Sequence, residues 1–134
     1  MPHTDTIPVS ASIASTGKGI RYVGNWAYAY SGNENLSPGV FLKQLNFTTG
    51  SDILVAEFQW VNTETNATRD VFIQIDLNEI TVYNGRWENP NITDKGANTI
   101  GLIIPPLTHV ECYQKNDGNT AGCFLMTGRV YGAE

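Results

Sequence analysis

The sequence predicts an all-β chain: a single antiparallel β-sandwich, a jelly roll by preference, with an immunoglobulin-like sandwich as the second choice. Three observations carry this. Apolar and polar residues alternate along short runs, Gly, Asn, Asp and Pro separate those runs, and no longer window repeats with the period of a helix. Parallel strands need crossover helices, so a chain without helices builds antiparallel sheets. Each such sheet must bury one face, which two packed sheets accomplish. With 134 residues the chain has the size of one domain, enough to bury a core without a metal or a disulfide.

Residues 1–17 are small and polar, as in Ser10-Ala11-Ser12-Ile13-Ala14-Ser15, and read as an N-terminal arm. Residues 18–134 read as the sandwich domain, with about eight strands. Gly19 to Ser31 is the first, followed by Val40 to Phe47. After the turn Thr49-Gly50-Ser51-Asp52 comes Ile53 to Val61. There Leu54, Ala56, Phe58 and Trp60 share one face, and Val55, Glu57 and Gln59 the other. Trp60 is therefore expected in the core. Val71, Ile73 and Ile75 alternate with Phe72, Gln74 and Asp76, and Leu77-Asn78-Glu79 turns the chain into Ile80 to Tyr83. Asn84 to Pro90 reads as a loop, because Pro90 and Gly96 oppose strand continuation. Ile100 to Ile104, Leu107 to Lys115 and Ala121 to Tyr131 complete the set.

Asp117-Gly118 suits a two-residue type I′ hairpin turn, since both central positions need positive φ. That register sets Cys112 opposite Cys123 and Val110 opposite Leu125 on one face, and His109 opposite Met126 on the other. Cβ atoms across such a pair sit wider than a disulfide prefers. The expectation is two buried thiols on the Val110 and Leu125 face.

Composition excludes several functions. The formal charge is −5 and Lys and Arg are scattered singly, so the clustered basic footprint of a nucleic-acid binder is missing. No apolar run approaches the roughly 18 residues of a membrane helix. Met1-Pro2-His3-Thr4-Asp5 lacks the basic and apolar regions of a signal peptide. No Gly-x-Ser-x-Gly elbow or P-loop occurs, His109-x-Glu111 lacks a third metal ligand, and the acidic residues form no particular pair. We therefore expect no enzyme, no cofactor and no metal. Four Asn-x-Ser/Thr triplets begin at Asn35, Asn46, Asn66 and Asn91. In a chain this rich in Asn and Thr they are expected by chance.

The candidate binding residues are aromatic. Trp26, Tyr28 and Tyr30 share one face of their strand; such a stripe is usually core, but it also suits an oligomer interface or a sugar platform. Trp87, with Asn84, Arg86 and Asn89 around it, is the candidate for an exposed loop aromatic on which a sugar ring stacks. Self-association would cover part of the Trp26/Tyr28/Tyr30 stripe or the face carrying His109 and Met126.

Three stretches carry a resemblance. They are Arg21-Tyr22-Val23-Gly24-Asn25-Trp26-Ala27-Tyr28-Ala29-Tyr30-Ser31-Gly32, Asp76-Leu77-Asn78-Glu79-Ile80, and Leu102-Ile103-Ile104-Pro105-Pro106-Leu107-Thr108 together with Thr127-Gly128-Arg129-Val130-Tyr131-Gly132. The chain resembles small virion structural proteins of tailed phages, marine ones in particular. The resemblance implies a capsid-decoration, head-fibre or tail-associated jelly roll, homotrimeric, in contact with other virion proteins and assembled in the bacterial cytoplasm. It brings no catalytic residues. The alternative expectation is a carbohydrate-binding module whose partners are glycans; fold alone does not separate the two.

Overall fold

The computed structural model describes residues 19–62, 70–87, 99–118 and 120–132. The arm, residues 1–17, lies outside the described residues. Among the described residues ten strands are formed: β1 Arg21–Val23, β2 Trp26–Tyr30, β3 Glu34–Leu36, β4 Leu42–Thr48, β5 Ile53–Asn62, β6 Val71–Leu77, β7 Ile80–Trp87, β8 Thr99–Ile104, β9 His109–Asn116 and β10 Thr120–Tyr131. No helix among the described residues is long and apolar enough to cross a membrane.

The strands form two antiparallel sheets. The large one runs β1-β2-β10-β5-β8, with β3 also on β10, and the small one runs β4-β9-β6-β7. β2 pairs with β10, β4 with β9, β5 with β8, and β6 with β7. That nesting is one long antiparallel ribbon whose tip is the β6–β7 turn. Rolling the ribbon brings β10 against β5 and β9 against β6. The result is a jelly roll, as the sequence predicts.

The turn at the tip explains its residues. Asn78 and Glu79 have φ of 52° and 69° between the paired residues Leu77 and Ile80, the positive-φ pair of a type I′ hairpin. Asn tolerates this region, and its Oδ1 accepts the backbone N–H of His109 at 2.9 Å. Glu79 has no such compensation. Glu79→Gly is expected to stabilise the fold by about 0.5–1 kcal/mol, because glycine adopts positive φ without the Cβ clash. Urea denaturation at constant m-value measures it.

Three sequence expectations are corrected here. Gly19 to Ser31 is not one strand: Gly24, at φ 61°, reverses the chain so that β1 folds back on β2. The loop expected at Asn84 is strand instead. β7 absorbs a register shift opposite Ile75/Asp76 and stays paired with β6 through Trp87. Most consequentially, Asp117-Gly118 does not close a hairpin. β9 belongs to the small sheet and β10 to the large one, so the chain crosses between layers there. Cys112 pairs with Leu45 and Ile75, and Cys123 with Val61. Both cysteines are free; Cys112 is buried and Cys123 is half-buried.

The core lies between the sheets. Ala27, Ala29, Leu54, Phe58, Trp60, Phe124 and Met126 project from the large sheet onto Leu45, Phe47, Ile73, Ile75, Val110 and Cys112 of the small one. Trp60, 1% exposed, lies with its ring centroid 5.7 Å from Phe124 and 5.8 Å from Tyr83. Polar contacts close both ends. At one, the Thr49 hydroxyl donates to Pro105 O at 2.9 Å and accepts from Thr108 N at 2.9 Å. At the other, buried amides cross between the sheets. Gln114 Nε2 donates to Gln44 Oε1 at 2.8 Å, Asn62 Nδ2 to Gln114 Oε1 at 2.7 Å, and Gln44 Nε2 to Gly122 O at 3.0 Å. A Cβ on Gly122 would stand 2.7 Å from both Gln114 Oε1 and Val61 O, so only glycine admits the amide there.

Candidate interaction face

The two sheets turn very different outer faces to solvent. On the small sheet, polar groups satisfy one another. Lys43 Nζ lies 2.7 Å from Glu111 Oε2, and the Glu111 carboxylate raises the lysine pKa. Asp76 Oδ1 accepts from Thr81 Oγ1 at 2.8 Å and from Gln74 Nε2 at 3.1 Å. His109 Nε2 lies 2.6 Å from Asn46 Oδ1. Arg86 Nη2 lies 2.7 Å from Asp70 Oδ2. The aromatic rings of this face are also engaged: Lys115 Nζ stands 4.8 Å from the Phe41 ring centre and 4.3 Å from that of Phe72. Such a face suits water.

The large sheet presents apolar side chains outward. Strand register arranges them in rows across the strands. One row is Val23, Trp26, Arg129, Val55 and Ile103; the next is Arg21, Tyr28, Thr127, Glu57 and Gly101. Tyr30, Leu125, Gln59 and Thr99 form the third, followed by Cys123 beside Val61. Tyr131 and Ile53 extend the face beyond the Trp26 row. Trp26 is 56% exposed, Tyr30 49%, Val23 61% and Ile103 70%. β10 contributes the smaller Cys123 and Leu125 between Tyr28 and Tyr30 on one side and Gln59 and Val61 on the other. This leaves an open apolar groove along β10. Clusters of exposed apolar side chains on this scale mark interaction surfaces.

The stripe is exposed because β2 turns its alanines inward: Ala27 and Ala29 are 2% and 1% accessible, directly under the aromatic row. Next to Tyr30, the Cys123 sulfur raises the pKa of the phenol. Burial pushes the Cys112 thiol well up, and the Asp76 and Glu111 charges add to that. Cys112 is thus an inert core residue, and Cys123 is the accessible thiol of the interaction face.

A scan of known protein families finds no model that matches this chain. A search of curated proteins finds no similar sequence. The reading of the site therefore rests on its geometry.

The residues proposed from sequence distribute unevenly. Trp26, Tyr28 and Tyr30 stand together on the exposed face. His109 stands on the opposite face, in the small sheet. Met126 does not accompany it: Met126 pairs with Phe58 and Ala29 in the large sheet and is 0% exposed, inside the core. Trp87 ends β7 opposite Val71 and is not a loop residue; its side chain, like Asn89, lies outside the described residues. Asn84 and Arg86 are exposed on β7, and the Arg86 guanidinium is paired with Asp70. Val55, Val61, Leu125, Ile103 and Arg129 are members of the face that sequence reasoning missed. The signal lay in β5, where Ile53, Val55 and Val61 occupy the side opposite Leu54, Phe58 and Trp60. A solvent-facing side of that strand would carry polar residues at those positions. Among the described residues, no three His, Cys, Asp or Glu side chains are grouped to hold a metal ion.

Proposed function

We propose that this chain is a non-catalytic structural and interaction protein, a jelly-roll building block that self-associates and docks on a larger assembly. The observation that supports it is the contrast between the faces: one is dominated by polar groups paired among themselves, the other by exposed aromatic and apolar side chains, with Arg129 stacked on Trp26 and Tyr131. Aromatic residues and arginine are the side chains enriched at protein interfaces. The resemblance of the sequence to small phage virion proteins supports a place in a virion, as a capsid-decoration, head-fibre or tail-associated component made in the bacterial cytoplasm. Light scattering on the purified protein is the test. Particles larger than one chain at tens of micromolar support the reading, and a clean monomer there opposes it.

Carbohydrate binding is the second reading. The observation in its favour is the pair of exposed tyrosines, Tyr28 and Tyr30, beside the Gln59 amide. Sugar hydroxyls need many donors and acceptors at close range; here they are Arg21, Thr127 and Glu57 in the Tyr28 row and Gln59 and Thr99 in the Tyr30 row, interrupted by the apolar Leu125, Val61 and Val55. Binding on a glycan array that disappears with Tyr28→Ala would move the assignment to this reading.

A further inference from the structure

We infer that the outer face of the large sheet is covered by a second copy of this chain, packed face to face about a two-fold axis that pairs Glu57 of each copy with Arg129 of the other. The inference rests on the self-association reading, specifies its surface and geometry, and puts a two-fold dimer in place of the homotrimer that the resemblance implies.

Size is the first argument. At about 4.8 Å between strands and about 3.3 Å per residue, the face spans roughly 20 Å by 27 Å, on the order of 550 Å² in plan before side-chain relief is added. Standard interfaces bury about 800 Å² per partner, so the plan area supplies most of one such interface before side-chain relief is counted. A flat face also closes on an identical face most simply through a two-fold, because such contacts are self-complementary.

Charge is the second. The chain carries −5 overall, yet Glu57 is the one acid among the described residues that projects from this face, with Arg21 and Arg129 alongside. Two copies therefore meet without the repulsion that their other surfaces would impose. Glu57 and Arg129 are diagonal neighbours across β5 and β10, since Thr127 pairs with Glu57 and Arg129 with Val55. They do not pair within the chain. Arg129 is held over Trp26 and Tyr131, at 5.0 and 5.7 Å from the ring centres, and Tyr131 lies on the side of Arg129 away from Glu57. A two-fold passing between the two residues and lying in the interface sets each carboxylate against the other copy's guanidinium. Both unpaired charges are then satisfied twice over.

The test is a charge swap followed by sedimentation equilibrium at tens of micromolar and low salt. The wild type is expected to be a dimer. E57R and R129E each place like charges across the interface and should weaken dimerisation at least tenfold, with melting temperatures reporting whether each variant remains folded. The double variant E57R/R129E should restore it. Independently of any variant, labelling of Cys123 in the wild type should slow severalfold as concentration rises, since its thiol is on the covered face. An oligomeric wild type in which the single changes have no effect, or which the double change fails to restore, overturns this geometry and leaves self-association standing. So does a trimer, or a Cys123 labelling rate independent of concentration in an oligomeric sample. A monomeric wild type overturns the geometry together with the reading beneath it.

Discussion

Trp60→Ala is expected to cost about 3–5 kcal/mol, the range for removing a large buried aromatic side chain. The indole is 1% exposed and fills the space between the sheets, touching Phe124 from its own sheet and Tyr83 from the other. Phe58 stands edge-on to Phe124, with ring centres 6.5 Å apart, so the vacancy would loosen a chain of rings and not one contact. Neither sheet can collapse into the gap without breaking its ladder. Against the 5–15 kcal/mol typical of a domain, that loss brings the protein near its threshold. Urea denaturation at constant m-value is the measurement. A cost below about 1 kcal/mol would show that Trp60 is not the centre of the core.

Gln114→Leu is the second large effect, at about 2–3 kcal/mol, although leucine has nearly the same volume. Gln114 is 0% exposed and is the hub of the amide cluster that ties the sheets together. Its Nε2 donates to Gln44 Oε1, its Oε1 accepts from Asn62 Nδ2, and a longer contact of 3.4 Å reaches Cys123 O. Leucine removes all three contacts while the partners stay buried. Leaving buried polar groups without partners costs more than the bonds themselves contribute. The mechanism predicts non-additivity: Gln44→Leu combined with Gln114→Leu should cost less than the two single changes added together, because the orphaned partner disappears too. A double-mutant cycle in urea measures the coupling. Strict additivity would mean the amides act independently.

Much of the fold was legible in the residues. The alternation in β5 placed Trp60 in the core, and Leu77-Asn78-Glu79 marked the tip of the ribbon. The failures have physical causes. Asp117-Gly118 satisfies the local chemistry of a hairpin turn, but local chemistry does not say which sheet the next strand joins. The alternation of β10 contained the answer: Phe124, Met126 and Val130 require burial on the side opposite Cys123, Thr127 and Arg129. That phase is incompatible with a Cys112–Cys123 pair facing the core. The loop expected from Asn84 rested on Pro90 and Gly96, which follow Trp87 in sequence and so did not oppose a strand ending there. The interaction face was half legible, since Trp26, Tyr28 and Tyr30 shared one side of β2. Whether that side faced inward depended on the alanines between them, small enough to let two sheets approach yet silent in a hydrophobicity pattern.

Hydroxyl-radical footprinting of the wild type over a range of concentrations tests most directly whether the large sheet's outer face is an interaction surface. Trp26, Tyr28, Tyr30 and Tyr131 report on that face, and Phe41, Phe72 and Tyr113 report on the small sheet. Oxidation of the first group is expected to fall as concentration rises while that of the second group stays unchanged. Equal oxidation of the first group at every concentration, or protection confined to the small sheet, would contradict it.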